Sequence, residues 1–265
     1  MKLSILCLNC FGIPISFNKR TRIKLIAKEI EKLSPDLVML QEVISHADRN
    51  LLFNELHKSG WVFYSDKNGL LESGGLVMMS KKLEFKNLQF HKFVEQGPKH
   101  LISVPDKILG KGFQTIICKY ANKEILIINA HLLCTYAKTA EDLQSQRKQF
   151  EQLVDYINSQ AHKDIILAGD LNSDPDSKDI LYLKDKCKLK DTLGIDTYTV
   201  DPKNLNRGWL MNFFSDGKSY RTDYVLISGN IQSNTTEVIF TKPQILNNKN
   251  IHLSDHYAVS ANLEI

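Results

Sequence analysis

Long apolar runs are missing from this 265-residue sequence. No stretch approaches the ~20 consecutive apolar residues that a membrane helix needs. The N-terminal run is cut off by Asn9 before it reaches the length of a secretory h-region. Cysteine is also scarce: there are 5, an odd number, in a chain too long to need disulfide staples. Cys7 and Cys10 form a C-x-x-C inside an apolar run with no second pair, which is weak ground for zinc or redox chemistry. From these absences we expect a cytoplasmic protein with reduced thiols and no transmembrane segment. No Pro-, Ser- or Gly-rich linker, internal repeat or long charge block divides the chain, so residues 1–265 are expected to form one domain, working as a monomer. The 34 basic and 30 acidic residues leave a net charge of +4, too small for a dense nucleic-acid footprint. Nucleic acid stays open as a partner but is not the favoured one.

What the chain does have is a series of short apolar segments that stop on polar residues. "KRTRIKLIAKEIEKL" places Ile23, Ile26, Ile30 and Leu33 at helical spacing, which predicts an amphipathic helix. Pro35 ends it, and Leu37 to Leu40 form the continuous apolar run of a buried strand that stops on Gln41 and Glu42. A second helix is expected around 47–58, then strands in "WVFYS", "GGLVMMSK" and "FKNLQFHKF". Residues 94–112 carry Gly97, Pro98, Pro105, Gly110 and Gly112 without a period and read as a long loop. "FQTIICKY" and "KEILIINAHLL" predict a hairpin around Asn122, followed by a charged helix over 139–161 and a buried strand in "DIILAGD". An irregular stretch over 193–220 precedes a strand in "RTDYVLIS" and a last strand after His256. Strands outnumber helices and several are joined as hairpins. That argues for an α/β fold of two packed sheets with helices outside, and against one doubly wound parallel sheet.

The ends of these strands carry the chemistry: Asn9, Glu42, His131, Asp170 with Asn172, Asp223, and Asp255 with His256. Each has an ordinary explanation taken alone. Asn9, before Gly12 and Pro14, is a natural turn starter, and Asp223 could pair with Arg221. Buried carboxylates and imidazoles are costly without partners, so their repeated placement at strand ends is better explained by one cleft where they meet. Carboxylates and amides without a thiolate cluster suit a hard divalent ion, Mg²⁺ or Mn²⁺, and Mg²⁺ characteristically shares its shell with substrate phosphate. An Asp beside a His supports proton transfer. The implied reaction is metal-assisted hydrolysis of a phosphate ester.

"LQEV", "NAHLL", "GDLNSDP", "RTDYVLIS" and "LSDHYAV", in this order, resemble the endonuclease/exonuclease/phosphatase superfamily, the fold of deoxyribonuclease I. "LNCFGIP" and "TYTVDPKN" (Thr197 to Asn204) resemble the neutral sphingomyelinases within it. The resemblance implies a four-layered α/β sandwich and a Mg²⁺-dependent phosphodiesterase acting on a phospholipid. It implies that Glu42 binds the metal with Asn9 beside it, and that Asp255 serves the metal or holds the network. Asp170 and Asn172 would position phosphate and water, His131 would donate to a phosphoryl oxygen, and His256, oriented by Asp223, would be the general base. A D-x-x-x-x-K formed by Asp106 and Lys111 is similar to a sphingomyelinase lid whose Asp–Lys contact governs access to the metal. The chain departs from some relatives at Leu133, where they carry a second His, and the membrane segments and export signals that others carry are not expected in it. A nuclease on the same fold is the alternative. A non-catalytic binding protein would be expected to have lost one of Glu42, Asp170 or His256, and all are present.

Overall fold

Two six-stranded sheets face each other in a computed structural model that describes residues 2–14, 16–64, 74–98, 110–120, 123–135, 139–207, 217–246 and 248–265. In chain order the strands are β1 (Lys2–Asn9), β2 (Leu37–Gln41), β3 (Val62–Tyr64), β4 (Val77–Ser80), β5 (Phe85–Lys92), β6 (Gly112–Tyr120) and β7 (Lys123–His131). There follow β8 (Ile165–Asp170), β9 (Lys190–Asp191), β10 (Asp223–Ile227), β11 (Gln232–Ile239), β12 (Gln244–Leu246), β13 (Lys249–Ile251) and β14 (Ala258–Glu264). The helices are α1 (Lys19–Leu33), α2 (His46–Leu56), α3 (Ala140–Ser159) and α4 (Lys178–Cys187). One sheet runs β11-β14-β1-β2-β4-β3 and the other β5-β6-β7-β8-β10-β9, with β12 and β13 as a separate hairpin.

Strand periodicity sorts the core into layers. Ile5 and Cys7 of β1, Met39 of β2, Ile127 of β7 and Ile166 and Ala168 of β8 pack between the sheets. Their neighbours Leu6, Leu8, Val38 and Leu40 turn outward onto Ile23, Ile26 and Ile30 of α1 and Leu52 and Leu56 of α2. On the far side, Leu126, Ile128, Leu167 and Leu226 turn onto Phe150, Leu153, Val154 and Ile157 of α3 and Ile180 and Leu183 of α4. Helix, sheet, sheet, helix is the four-layered sandwich. Among the described residues no helix is long and apolar enough to cross a membrane.

The expected elements differ from the observed ones where the local signal is thin. The second helix spans His46–Leu56 and tightens into a 3₁₀ turn over His57–Ser59. The third stops at Ser159. Helix α4 had no strong signal, because only Ile180, Leu183 and Cys187 of its ten residues are buried. Strand β11, "QSNTTEVI", is an edge strand with little apolar alternation, and it was not expected at all.

Arg22 of α1 is fully buried, and its signal was simply that of a helix surface residue. Its guanidinium donates to the carbonyls of Cys10 (2.8 Å), Phe11 (2.7 Å), Phe17 (3.0 Å) and Leu253 (3.1 Å). It thereby pins both the turn after β1 and the approach to His256 onto one helix. Removing it leaves four carbonyls without their donor. Arg22→Met is expected to cost roughly 3–5 kcal/mol in urea unfolding, the scale for breaking a buried charged hydrogen-bond set.

Candidate active site

Only two strand pairs in the described sheets are parallel, β1 with β2 and β7 with β8. Their carboxyl ends lie at one edge of the sandwich. Asn9 pairs in register with Gln41, and His131 with Asp170. Asp223, the first residue of antiparallel β10, also pairs with Asp170. Across the gap between sheets, Asn9 Nδ2 donates to Asp170 Oδ2 at 3.0 Å. Beneath it a second cross-sheet bond runs from Gln41 Nε2 to Asn129 Oδ1 at 2.7 Å, and Asn129 Nδ2 donates onward to Leu40 O at 3.0 Å.

The chain leaves these strands by tight turns. Asn9 Oδ1 accepts from the Phe11 amide at 3.0 Å, and Asp170 Oδ1 accepts from the Asn172 amide at 3.1 Å. Phe11, Glu42 and Asn172 adopt left-handed backbone at φ 50, 58 and 50. Asn9 is therefore a turn starter and a site residue together, since one amide end serves each purpose. Gly12 belongs to this packing, because a Cβ there would sit 1.9 Å from the Glu42 carbonyl oxygen. Asn172 turns its own amide back to Leu132 O at 2.8 Å, and Leu133 is buried.

His256 Nδ1 and Asp223 Oδ2 are 2.8 Å apart, and His256 Nε2 lies 3.9 Å from Asp170 Oδ2. Burial alone would lower the His256 imidazole; Asp223, Asp170 and Asp255 outweigh it and hold it well above the ordinary value. His131 goes the other way, held well below by burial, with the positive Lys111 and His256 adding to the effect. Its Nε2 is 3.5 Å from Asp170 Oδ2 and 3.9 Å from Glu42 Oε1. Lys111 is buried, with its amine against the His131 ring, 3.3 Å from Nδ1 and closer to Nε2. The structure thus brings Lys111 to the floor of the site, where the sequence suggested a loop contact; Asp106 lies outside the described residues.

Burial raises Glu42 to about 7 and Asp170 to about 6, and it raises Asp255 as well. Asp170, Asp223 and His256 bring ligand-type atoms within 4.8 Å of one another. Two of these, Asp223 and His256, are already hydrogen-bonded to each other, an arrangement suited to proton transfer. The carboxylates of Glu42 and Asp255, both raised by burial, remain as oxygen donors. This donor chemistry fits Mg²⁺ or Mn²⁺.

The sequence reading missed Asn129, Thr199 and Thr222. Asn129 was detectable, since it stands two residues before His131 and so shares its face of β7. Thr199 touches Asp223 only through the fold, whereas Thr222 is its neighbour in the chain.

The chain belongs to the Endonuclease/Exonuclease/phosphatase family, whose model matches residues 6–256. It is 26% identical over 272 residues to a Drosophila melanogaster protein named for neutral sphingomyelinase, covering 100% of this chain and 61% of that protein. It is 26% identical over 195 residues to human sphingomyelin phosphodiesterase 2, covering 72% of this chain and 46% of the human protein. The chain therefore spans about half to three fifths of the length of these relatives. Among solved structures, sphingomyelinase C from Streptomyces griseocarneus superposes with a TM-score of 0.75 at 19% identity, over 99% of both chains. The same fold appears in Danio rerio TDP2 with a single-strand DNA product (TM-score 0.75, 17% identity, 100% of this chain and 99% of that one). It also appears in a Staphylococcus aureus beta toxin mutant with bound magnesium ions (TM-score 0.76, 17% identity, 98% and 99%).

Glu42 offers a test without substrate. Because its carboxyl moves from 4.5 to about 7 on folding, the protonated form favours the folded chain. In EDTA, stability is fully present below about 4.5 and falls as pH rises towards 7, by roughly 3 kcal/mol from this group. Asp170 contributes with the same sign. Calorimetry is expected to show a flatter pH slope in Glu42→Gln, and a larger rise in Tm with MgCl₂ at pH 8 than at pH 5. An equal rise at both pH values would remove Glu42 from the metal shell.

Proposed function

We propose that this domain is a Mg²⁺-dependent phosphodiesterase that releases the phosphorylated headgroup of sphingomyelin or a similar phospholipid. The His256–Asp223 pair carries the proposal, standing across Asp170 from His131 and Lys111. Such an array places a proton acceptor on one side of a phosphate-sized site and positive or donating groups on the other. In-line attack of water on phosphorus requires that division.

In this assignment Asp170 and Asn172 hold the phosphate and orient the attacking water, and Asp223 keeps the His256 ring facing it. His131 and Lys111 meet charge that develops on a phosphoryl oxygen. Glu42, Asn9 and Asp255 would hold Mg²⁺, with Mn²⁺ a workable substitute; when bound, the ion polarises the phosphate and supplies the positive charge the carboxylates lack. Asp223, Asp170 and Asp255 outweigh burial and raise the proton affinity of His256. Lys111 and Asp106 retain their proposed part in access to the site. The domain is taken to act as a cytoplasmic monomer.

The names of the sequence relatives favour a lipid. The nuclease alternative rests on shared fold, which does not select a substrate, and the small net charge of +4 gives it little support.

The decisive assay offers purified protein and MgCl₂ with sphingomyelin, lysophosphatidylcholine, abasic DNA and inositol phosphates. Sphingomyelin is expected to be turned over fastest, and preferred cleavage of DNA would replace the lipid assignment. Glu42→Ala is expected to lower turnover by several orders of magnitude, as EDTA does. His256→Ala should cost about 10²–10⁴ in kcat, and Asp223→Asn less. Lys111→Ala should lower turnover of sphingomyelin with the metal-induced rise in Tm unchanged; wild-type turnover would take Lys111 out of the reaction.

A further inference from the structure

"TYTVDPKN" has no part in the chemistry assigned so far, yet it runs through the site. Thr199 is fully buried. Its backbone is clamped on both sides, with its amide donating to Tyr220 O at 3.1 Å and its carbonyl accepting from Tyr257 N at 2.7 Å. The next residue, Val200, bridges to both Tyr220 and His256. This segment therefore lies between the strand that brings Asp223 and the loop that brings His256, and its position is set by both.

The Thr199 hydroxyl has only one arrangement available. Two backbone amides, those of Thr222 (3.2 Å) and Asp223 (3.3 Å), point at Oγ1, so the oxygen is an acceptor for both. Its single proton is left for Asp223 Oδ2, which lies 2.5 Å away. Thr222 Oγ1 reaches the same oxygen at 3.1 Å, and His256 Nδ1 at 2.8 Å. Three donors thus meet on Oδ2, while buried Oδ1 has no hydrogen-bond partner among the described residues. A carboxylate free to choose would rotate to share donors between its oxygens, because a buried acceptor without a partner is costly. Something must hold this one in place, and the hydroxyl of Thr199, itself fixed by two amides, is the shortest of its contacts.

We infer that Thr199 is a positioning residue for the His256–Asp223 pair. Its hydroxyl locks the plane of the Asp223 carboxylate so that Oδ2, and not Oδ1, faces the His256 ring and fixes the direction of Nε2. Thr199 touches neither substrate nor metal in this scheme and acts through Asp223. The inference rests on the assignment of His256 as general base, and it adds a third group to that pair, reached from a separate segment of the chain.

Thr199→Val keeps the shape of the side chain and removes the hydroxyl, whereas Thr199→Ser keeps the hydroxyl. With bis(p-nitrophenyl) phosphate and with sphingomyelin, each with MgCl₂, Thr199→Val is expected to lower kcat about 10- to 100-fold with KM little changed, and Thr199→Ser to restore most of it. The downfield proton resonance of His256 Nδ1, assigned by its loss in His256→Ala, should be present in wild type and Thr199→Ser and displaced or broadened in Thr199→Val. Thr199→Ala serves in the same comparison if Thr199→Val does not fold. A Thr199→Val protein with wild-type kcat and an unmoved resonance overturns the inference, as does a Thr199→Ser protein as impaired as Thr199→Val. If wild type cleaves neither substrate, the phosphodiesterase proposal fails, while the resonance across the three proteins still decides the role of Thr199.

Discussion

The hydrogen bond from Asn9 to Asp170, with the Gln41–Asn129 bond beneath it, sets the relation between two sheets that could otherwise slide. The contact between the sheets is mostly aliphatic, and aliphatic burial has little directional preference. Directional bonds are needed to settle which residue of β1 stands opposite which residue of β8. These two lie at the carboxyl ends of the strands, the edge where Glu42 and His131 also emerge. Register along the sandwich and geometry of the site are thus decided by the same atoms.

That economy has an electrostatic counterpart. Four acids, two histidines and a lysine converge where water is largely excluded, and each group's charge depends on its neighbours. His131 and His256 are chemically identical, yet one sheds its proton readily and the other holds it. Burial lowers both; Lys111 and His256 push His131 further down, while Asp223, Asp170 and Asp255 overcome burial at His256.

Much of this was legible in the sequence because both sheets bury both faces of their central strands. Leu37 to Leu40 and Ile125 to Ile128 are unbroken apolar runs, so a Glu or His at their ends stands out. The family motifs named the same residues independently. Other parts were hidden for physical reasons. Arg22 stands four residues before Ile26 on the buried stripe of α1, but its charge reads as solvent-facing, and the turn after β1 folding over it makes it a buried donor. Lys111 precedes a strand by one residue, and sequence alone does not say that its side chain turns inward to His131. Edge strand β11 faces water along much of its length, so no apolar alternation marks it.

Glu42 occupies left-handed backbone, a region that glycine enters without penalty and a glutamate enters at a cost of order 1 kcal/mol. The residue that would suit the turn best is the one that cannot supply a carboxylate. Its burial adds a second cost, seen in the elevated proton affinity of the same side chain. Laboratory selection of this domain for heat resistance alone would therefore favour replacing Glu42, and variants recovered that way would be sturdier proteins without the carboxylate at this position. Any thermostabilisation of this scaffold has to hold position 42 constant and seek its gains elsewhere.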